Sequence, residues 1–542
     1  MQGLMMNRPM RVNDILTFAA EVHGDSEVVS VTVEGGIHRT TYRAIDGRTR
    51  QLAKALLKLG VAEGDRVATL AWNGYRHFEL YYGIAGIGAV CHTINPRLSA
   101  EQMIYIVNHA EDKVIFVDLT FVPILNALQE HLPKDLIYVA MTDRAHMPET
   151  DLPNILCYEE LVEAEDADYD WPDFSEDTAC ALCYTSGTTG NPKGALYTHR
   201  STVMHAMMAG VSLQTSLSPG QRILPVVPLF HVNAWGLPYA APLTGASLVF
   251  PGAALDGPSI YKLMQDEEVF SAWGVPTVWL GLLAEIKAQG GKPSAFGEVI
   301  IGGSAAPRSM IEAFEGMDVS VCHAWGMTEM SPIGTVGLLN RTQDKLPQGE
   351  RIDLKAKQGR RVFGVDLKIV DEDGKRLPHD GEAQGELYVR GNAIVSGYFK
   401  NEEASKTALD ADGWFGTGDV AKITSDGMLT ITDRAKDLIK SGGEWISSID
   451  VENMAMSHPE VANCAVIAVP HPKWDERPLL VVVPTPESSK DVASIQNHLS
   501  ENLAKWQVPD EVIFVEDLPM TATGKVSKLT LRQRYANGTL AG

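Results

Sequence analysis

Apolar residues recur at helical spacing from Tyr42 to Leu59 and stop at Gly60, which predicts an amphipathic helix with a glycine stop. The pattern then tightens to Val67-Ala68-Thr69-Leu70-Ala71, a short buried strand. Tyr75 to Gly88 is helical again, Ser99-Ala100-Glu101-Gln102 is a capping box that opens a further helix, and Lys113-Val114-Ile115-Phe116-Val117 returns to strand. Strands alternating with helices in this way predict a doubly wound α/β sheet. Gly83, Gly86 and Gly88 lie inside a helical pattern, so close helix packing explains them better than a dinucleotide-binding turn.

A second α/β region is predicted over roughly 195–340, with strand signals at Leu224 to His231, Leu248 to Phe250 and Val299 to Gly303. Beyond about residue 345 the texture changes. Val365 to Val370, Gly385 to Val389 and Met428 to Thr432 read as strands separated by Asp-Glu-Asp-Gly, His-Asp-Gly and Ser-Asp-Gly turns, a β-rich subdomain. From Asp437 onward short strands and helices alternate, enough for a separate small α+β lobe. The expected fold class is therefore α/β: a large N-terminal domain of doubly wound subdomains plus a β-rich subdomain, 1–435, and a small C-terminal domain, 436–542.

Composition narrows the function. The chain of 542 residues is 45% hydrophobic and 21% charged, ample for a large core. Its formal charge of −23 disfavours nucleic acid and anionic membranes as partners, since both require a basic face. No apolar run approaches the ~20 residues of a membrane span, and the N-terminal stretch to Leu16 is interrupted by Arg8, Pro9, Arg11 and Asp14; a cytoplasmic protein is expected. Six scattered cysteines suit a reducing compartment. Cys180 and Cys183 form a C-x-x-C without a second pair, and on a regular strand they face opposite sides, so neither zinc nor redox use is expected.

The stretch with the densest chemistry is Thr185-Ser186-Gly187-Thr188-Thr189-Gly190-Asn191-Pro192-Lys193-Gly194. It lies between the strand-like runs Cys180 to Tyr184 and Ala195 to Thr198, with a helical run from Arg200. Glycines let successive N–H groups converge, hydroxyls add donors and Lys193 adds a positive charge, so the loop suits a polyphosphate. It is not a Walker loop. Its order of hydroxyl, glycine, proline and lysine residues resembles the phosphate loop of the adenylate-forming superfamily of acyl-CoA synthetases, luciferase-like enzymes and peptide-synthetase adenylation domains.

Six further segments match that superfamily in its order. Gly302-Gly303-Ser304-Ala305-Ala306-Pro307 resembles the adenine-binding turn. His323-Ala324-Trp325-Gly326-Met327-Thr328-Glu329 resembles the aromatic-glycine-Thr-Glu motif, in which Trp325 stacks on adenine, Thr328 meets phosphate and Glu329, with Thr185, holds Mg²⁺. Trp414 to Asp419 matches the segment whose carboxylate, here Asp419, binds the ribose hydroxyls. Asp433-Arg434-Ala435-Lys436-Asp437 supplies Arg434 to the nucleotide and places a hinge at Lys436. Lys440-Ser441-Gly442-Gly443-Glu444-Trp445 resembles the coenzyme A tunnel segment, and Pro519 to Lys525 carries the catalytic lysine, Lys525.

The resemblance implies an AMP-forming acid–thiol ligase with ATP and coenzyme A as co-substrates, a mobile C-terminal domain and a homodimeric assembly. The Pro-Leu-Phe-His-Val-Asn-Ala-Trp and Gly-Gly-Glu-Trp-Ile-Ser segments look most like the medium-chain branch and, within it, the bacterial 3-methylmercaptopropionyl-CoA ligases. His231, Trp235, Gly302 and Gly326 are the expected acyl-site residues. Gly326 stands where acetate-specific relatives carry tryptophan, implying a deeper pocket.

Overall fold

The computed structural model describes residues 1, 3–185, 191–442, 444–521 and 524–540. Ser186, Gly187, Thr188, Thr189, Gly190 and Gly443 of the expected sites lie outside the described residues.

Three sheets organise the described residues. The first has seven strands in the order Leu156–Cys157, Ile137–Ala140, Asp112–Val117, Arg66–Leu70, Val90–Thr93, Ala179–Tyr184 and Gly194–Thr198. All pairs are parallel except the last. The strand at 194–198, which the sequence pattern placed in the second region, thus closes the first sheet: a short hairpin returns antiparallel beside the strand it has just left. The helix Tyr75–Gly86 is buried throughout. A Cβ on Gly83 would lie 2.7 Å from Leu52 Cδ2, and one on Gly86 2.3 Å from Trp171 Cζ3, so these glycines serve close packing as expected.

The second sheet has thirteen strands. Its first half is largely parallel and runs Glu27–Val31, Ser247–Phe250, Arg222–Pro225, Ser271–Gly274, Glu298–Ile301, Ser320–Gly326, with Ile37–Thr41 antiparallel at the edge. The N-terminal strand therefore joins the second unit across more than two hundred residues of sequence. The antiparallel half continues through Ile333–Val336, Gly359–Arg361, Met428–Arg434, Phe415–Ile423, Gln384–Gly391 and Val365–Val370. The β-rich region is thus an extension of the parallel sheet, not a separate body. Ser320–Gly326 belongs to both halves: Ser320 to His323 pair parallel with one neighbour, Ala324 to Gly326 antiparallel with the other.

In both doubly wound sheets the chain reverses its direction of travel at one strand, Arg66–Leu70 in the first and Arg222–Pro225 in the second. Ligands bind at the carboxyl ends of such strands. Here the two ends meet: Asn73, just past the first strand, donates to the carbonyls of Pro225 (2.7 Å) and Val227 (2.9 Å) and accepts from Leu229 N (2.6 Å).

The third sheet comprises Glu444–Ile446, Ile439–Ser441, Asp475–Pro484, Val461–His471 and Glu511–Phe514. Alternate residues face two cores of its own: Val466, Leu480 and Val482 pack with Ile495 and Leu499, whereas Ile467, Leu479 and Val481 pack with Leu518 and Leu531. Neither core has a described member before Ile439.

Cys180 and Cys183 depart from expectation. Both pack into the same core cluster, because a bulge between Ala179 and Ala181 shifts the alternation of the strand by one residue. All six thiols are buried and free, and among the described residues no cluster of three metal-ligating side chains occurs. No helix among the described residues is long and apolar enough to cross a membrane.

Candidate active site

A cavity of about 330 Å³ lies where the units built on the three sheets meet. The hairpin Ala179–Tyr184 to Gly194–Thr198 brings in Thr185, Asn191 and Lys193 at the base of the hydroxyl-rich loop. That base is closed by Thr185 N donating to the Lys193 carbonyl at 2.9 Å. The switch strand of the second sheet brings in His231, Val232 and Trp235, and the ends of the strands Glu298–Ile301 and Ser320–Gly326 bring in Gly302, Gly303 and Ala324 to Glu329. The antiparallel half adds Thr417 and Arg434, and the C-terminal lobe adds Lys525.

Thr328 and Glu329 are buried. The Tyr197 hydroxyl holds the Thr328 carbonyl at 2.6 Å, and the Tyr398 hydroxyl donates to Glu329 Oε1 at 2.9 Å. Burial pushes the Glu329 carboxyl up, opposed by Tyr398, Arg434 and Lys193. Lys193 Nζ lies 5.0 Å from the centre of the Tyr398 ring, so Tyr398 joins the loop lysine to the acidic residue. Trp325 donates its indole N–H to Asp419 Oδ2 at 2.9 Å, and Arg434 Nε pairs with Asp419 Oδ1 at 2.8 Å. The carboxylate thus fixes both the aromatic face and the cation. Lys525 Cε comes within 3.6 Å of where a Cβ on Gly303 would lie. Lost hydration, with the Arg434 charge nearby, pushes its ammonium down to about 8, while Asp419 and Glu329 oppose that fall.

The other end of the cavity is apolar, formed by Val232, Trp235, Pro332 and Ile333 around His231. Burial and the Lys525 charge push His231 down to about 3, so it is a neutral donor or acceptor. Trp235 lies against Gly302: a Cβ there would meet its Cη2 at 3.0 Å. Gly326 faces backbone, with the Pro332 carbonyl 1.8 Å from a Cβ position; no larger residue fits without moving that segment.

The remaining expected residues are placed nearby or apart. Ser304, Ala305, Ala306 and Pro307 do not line the cavity; Ala306 packs into the adjoining core and Pro307 precedes the helix Arg308–Glu315. His323 is buried behind the wall, its Nδ1 3.0 Å from the Ala356 carbonyl. Lys436 lies between the last strand of the large unit and the first of the small one. Lys440, Gly442, Glu444 and Trp445 stay outside the cavity; Lys440 Nζ sits 4.5 Å over the Trp445 ring, and Gly442, at φ +62°, packs against Trp474. Asn191 of the expected phosphate loop lines the cavity, and Tyr398 is a cavity residue that sequence reasoning missed. Tyr398 sits in a Gly-Tyr-Phe turn, 69 positions from the carboxylate it touches, and no local pattern reports such a pairing.

The base of the hydroxyl-rich loop at Thr185 and Lys193, a stacking face, a buried carboxylate and three converging cations define a site for a nucleoside triphosphate beside an apolar pocket. The chain belongs to the AMP-binding enzyme family: the family model matches residues 16–399, and that of the AMP-binding enzyme C-terminal domain matches 450–525. It is an AMP-forming acyl-CoA synthetase, with ATP and coenzyme A as its co-substrates. It is 48% identical over 538 residues to the medium-chain-fatty-acid–CoA ligase of Ectopseudomonas oleovorans, covering 99% of this chain and 98% of that one. It is also 48% identical over 536 residues to the 3-methylmercaptopropionyl-CoA ligase of Ruegeria lacuscaerulensis, covering 99% of each. Among solved structures, the anthranilate CoA ligase AuaEII in complex with anthranoyl-AMP superposes with a TM-score of 0.86 at 25% identity, over 98% of this chain and 99% of that one.

Proposed function

We propose that this enzyme converts a short or medium-chain carboxylic acid, with 3-methylthiopropionate as the favoured substrate, to its acyl-CoA through an acyl-AMP. The observation that carries the reading is the gathering of Lys525, Glu329, Trp325, Lys193 and Arg434 in one cavity whose far end is apolar and closed by Trp235. Two relatives of equal identity act on different acids by name, so the pocket itself decides. Trp235 against Gly302 shortens the acyl end and favours the short thioether acid. A broad medium-chain synthetase is the alternative, favoured by the medium-chain relative; a ligase loading another thiol is the further one.

In the first half-reaction the substrate carboxylate attacks the α-phosphorus of ATP, forming acyl-AMP and releasing pyrophosphate. Residues 185–193 hold the β- and γ-phosphates, and Lys525 stabilises charge on the α-phosphate and the carboxylate oxygen as the bond forms. Trp325 stacks on adenine, with Gly302 and Gly303 admitting the ring, and Asp419 and Arg434 bind ribose. Glu329 and Thr185 suit Mg²⁺, an ion that takes one or two carboxylates plus substrate phosphates and water: Glu329 is a single buried carboxylate with one oxygen held by Tyr398. When bound, the ion supplies neutralisation of phosphate charge.

In the second half-reaction the coenzyme A thiol attacks the acyl carbonyl and AMP leaves. Lys525 occupies the cavity while Lys440, Gly442, Glu444 and Trp445 are outside it, which supports reading this arrangement as the adenylation state. The domain of residues 436–542 then rotates about Lys436 to bring the segment around Gly443 to the thiol path. A homodimer in the cytoplasm completes the proposal, the assembly being tested by light scattering.

Product analysis tests the reading. ATP, Mg²⁺ and acids from acetate to decanoate plus 3-methylthiopropionate are supplied with and without coenzyme A. AMP, pyrophosphate and acyl-CoA together are expected, with the thioether acid ranked first. Pyrophosphate without thioester points to another acceptor, and ADP refutes the proposal.

A further inference from the structure

Val232, Asn233, Ala234 and Trp235 have φ values of 39°, 54°, 44° and 58°, and Gly236 follows at 81°. This is a full turn of left-handed backbone built almost entirely from residues with a Cβ, including a β-branched valine. L-residues enter that region singly and at a cost, and a run persists only where the surroundings over-determine it. Gly236 ends the turn of necessity, since a Cβ there would lie 2.6 Å from His205 Cε1.

The over-determining contacts come from the first sheet and its helix. Tyr81, fully buried on the helix Tyr75–Gly86, donates its hydroxyl to the Leu229 carbonyl and lies 3.2 Å from Asn233 Oδ1. Cys183 Sγ is 3.3 Å from the same Asn233 oxygen. Tyr82 donates to the Pro238 carbonyl at 2.6 Å, so the helix grips the segment on both sides of the turn. Asn73 spends its side-chain amide on Pro225, Val227 and Leu229. The Asn233 side chain points away from the cavity, where it does not appear among the lining residues, while its neighbours Val232 and Trp235 do. The turn therefore converts a hydrogen bond made in the first sheet into the position of an indole in the second.

We propose that Tyr81 and Asn233 are positioning residues that set the length of acid accepted, by holding this left-handed turn and so holding Trp235 against Gly302. The proposal rests on the acyl-site reading above. Neither residue is among those that line the cavity. Releasing the turn lets the backbone relax toward ordinary dihedrals and withdraws the indole, so longer acids gain access while ATP handling is unaffected.

The test uses the full-length enzyme with Tyr81→Phe and with Asn233→Gly. The first removes one hydroxyl at constant ring shape. The second suits φ near +54° yet lacks the acceptor oxygen, so it separates the hydrogen bond from backbone fit. Trp235→Ala serves as the reference. The readout is the ratio of kcat/KM for decanoate over that for 3-methylthiopropionate, with KM for ATP and the thermal midpoint measured in parallel. Each variant is expected to raise the ratio about tenfold with KM for ATP unchanged. A wild-type ratio in either variant overturns the proposal, whatever the thermal midpoint does, because a purely structural contact moves stability and not selectivity. If Trp235→Ala itself leaves the ratio unchanged, the acyl-site reading falls and the proposal with it. A shift in Trp235→Ala alone leaves that reading standing and removes Tyr81 and Asn233 from it.

Discussion

Lys525 carries its charge against its surroundings. The ammonium is pushed from 10.5 down to about 8, and that gap corresponds to about 3 kcal/mol of preference for the neutral amine in the docked lobe. Because the value in the pocket lies below that of a free lysine, the penalty is present in full below about pH 8. It fades as pH rises from there toward 10.5. The phosphates of ATP reverse the balance by supplying the missing counter-charge. In the pyrophosphate-forming half-reaction, kcat/KM for ATP reports the free enzyme. It is expected to hold steady below the Lys525 value of about 8 and to fall about tenfold per pH unit above it. The break in kcat should sit higher, because the nucleotide is then bound. Lys525→Arg keeps its proton throughout and should remove the break. Lys525→Met should lose roughly 10²–10³-fold in adenylation rate and yet raise the thermal midpoint of the C-terminal lobe at neutral pH, a gain that disappears in alkali. A kcat/KM profile with no alkaline break, or the same break in Lys525→Arg, rules out Lys525 as the group whose proton adenylation requires.

Other consequences are simpler. Tyr398→Phe deletes the hydrogen bond to Glu329; a bond to a charged group contributes ~1.5–3 kcal/mol, so adenylation should slow by roughly 10–100-fold, while thioester formation from supplied acyl-AMP proceeds normally. Equal loss in both steps, by quench-flow, removes Tyr398 from the first. Lys436→Pro should leave pyrophosphate release intact and block acyl-CoA formation; matched losses would count against rotation about that residue. His231, pushed down to about 3, should contribute no break to kcat/KM for the acid across the neutral range. A break near the ordinary histidine value that vanishes in His231→Gln contradicts a neutral imidazole.

The sequence is most informative where chemistry is local. The hairpin around Lys193, the turn at Gly302 and Gly303, and the run from Trp325 to Glu329 are each contiguous, and all reach one cavity. What was illegible depends on separation or on exceptions to periodicity. Tyr398 reaches Glu329 across the antiparallel half of a sheet whose continuity no periodicity reports. The bulge at Cys180 inverts the face that strand alternation predicts. The left-handed turn from Val232 to Trp235 contains no glycine before Gly236, so turn chemistry gives no warning; the strain is imposed by Tyr81 and its neighbours, which lie far away in sequence.

The strand Glu27–Val31 bears on how the molecule is made. Its parallel partner, Ser247–Phe250, is synthesised more than two hundred residues later. At ~5–20 residues per second the ribosome needs roughly 10–40 s to bridge that interval. Through that wait Val28 and Val29, fully buried in the finished enzyme, can pair only with the hairpin partner Ile37–Thr41 and lack the sheet that covers them. The first sheet can mature around its own strands in the meantime, but the second cannot be sealed at its edge until the chain has passed Phe250. Nascent chains halted before that point should therefore present to chaperones an apolar hairpin with one edge open, and chains halted well beyond it should not.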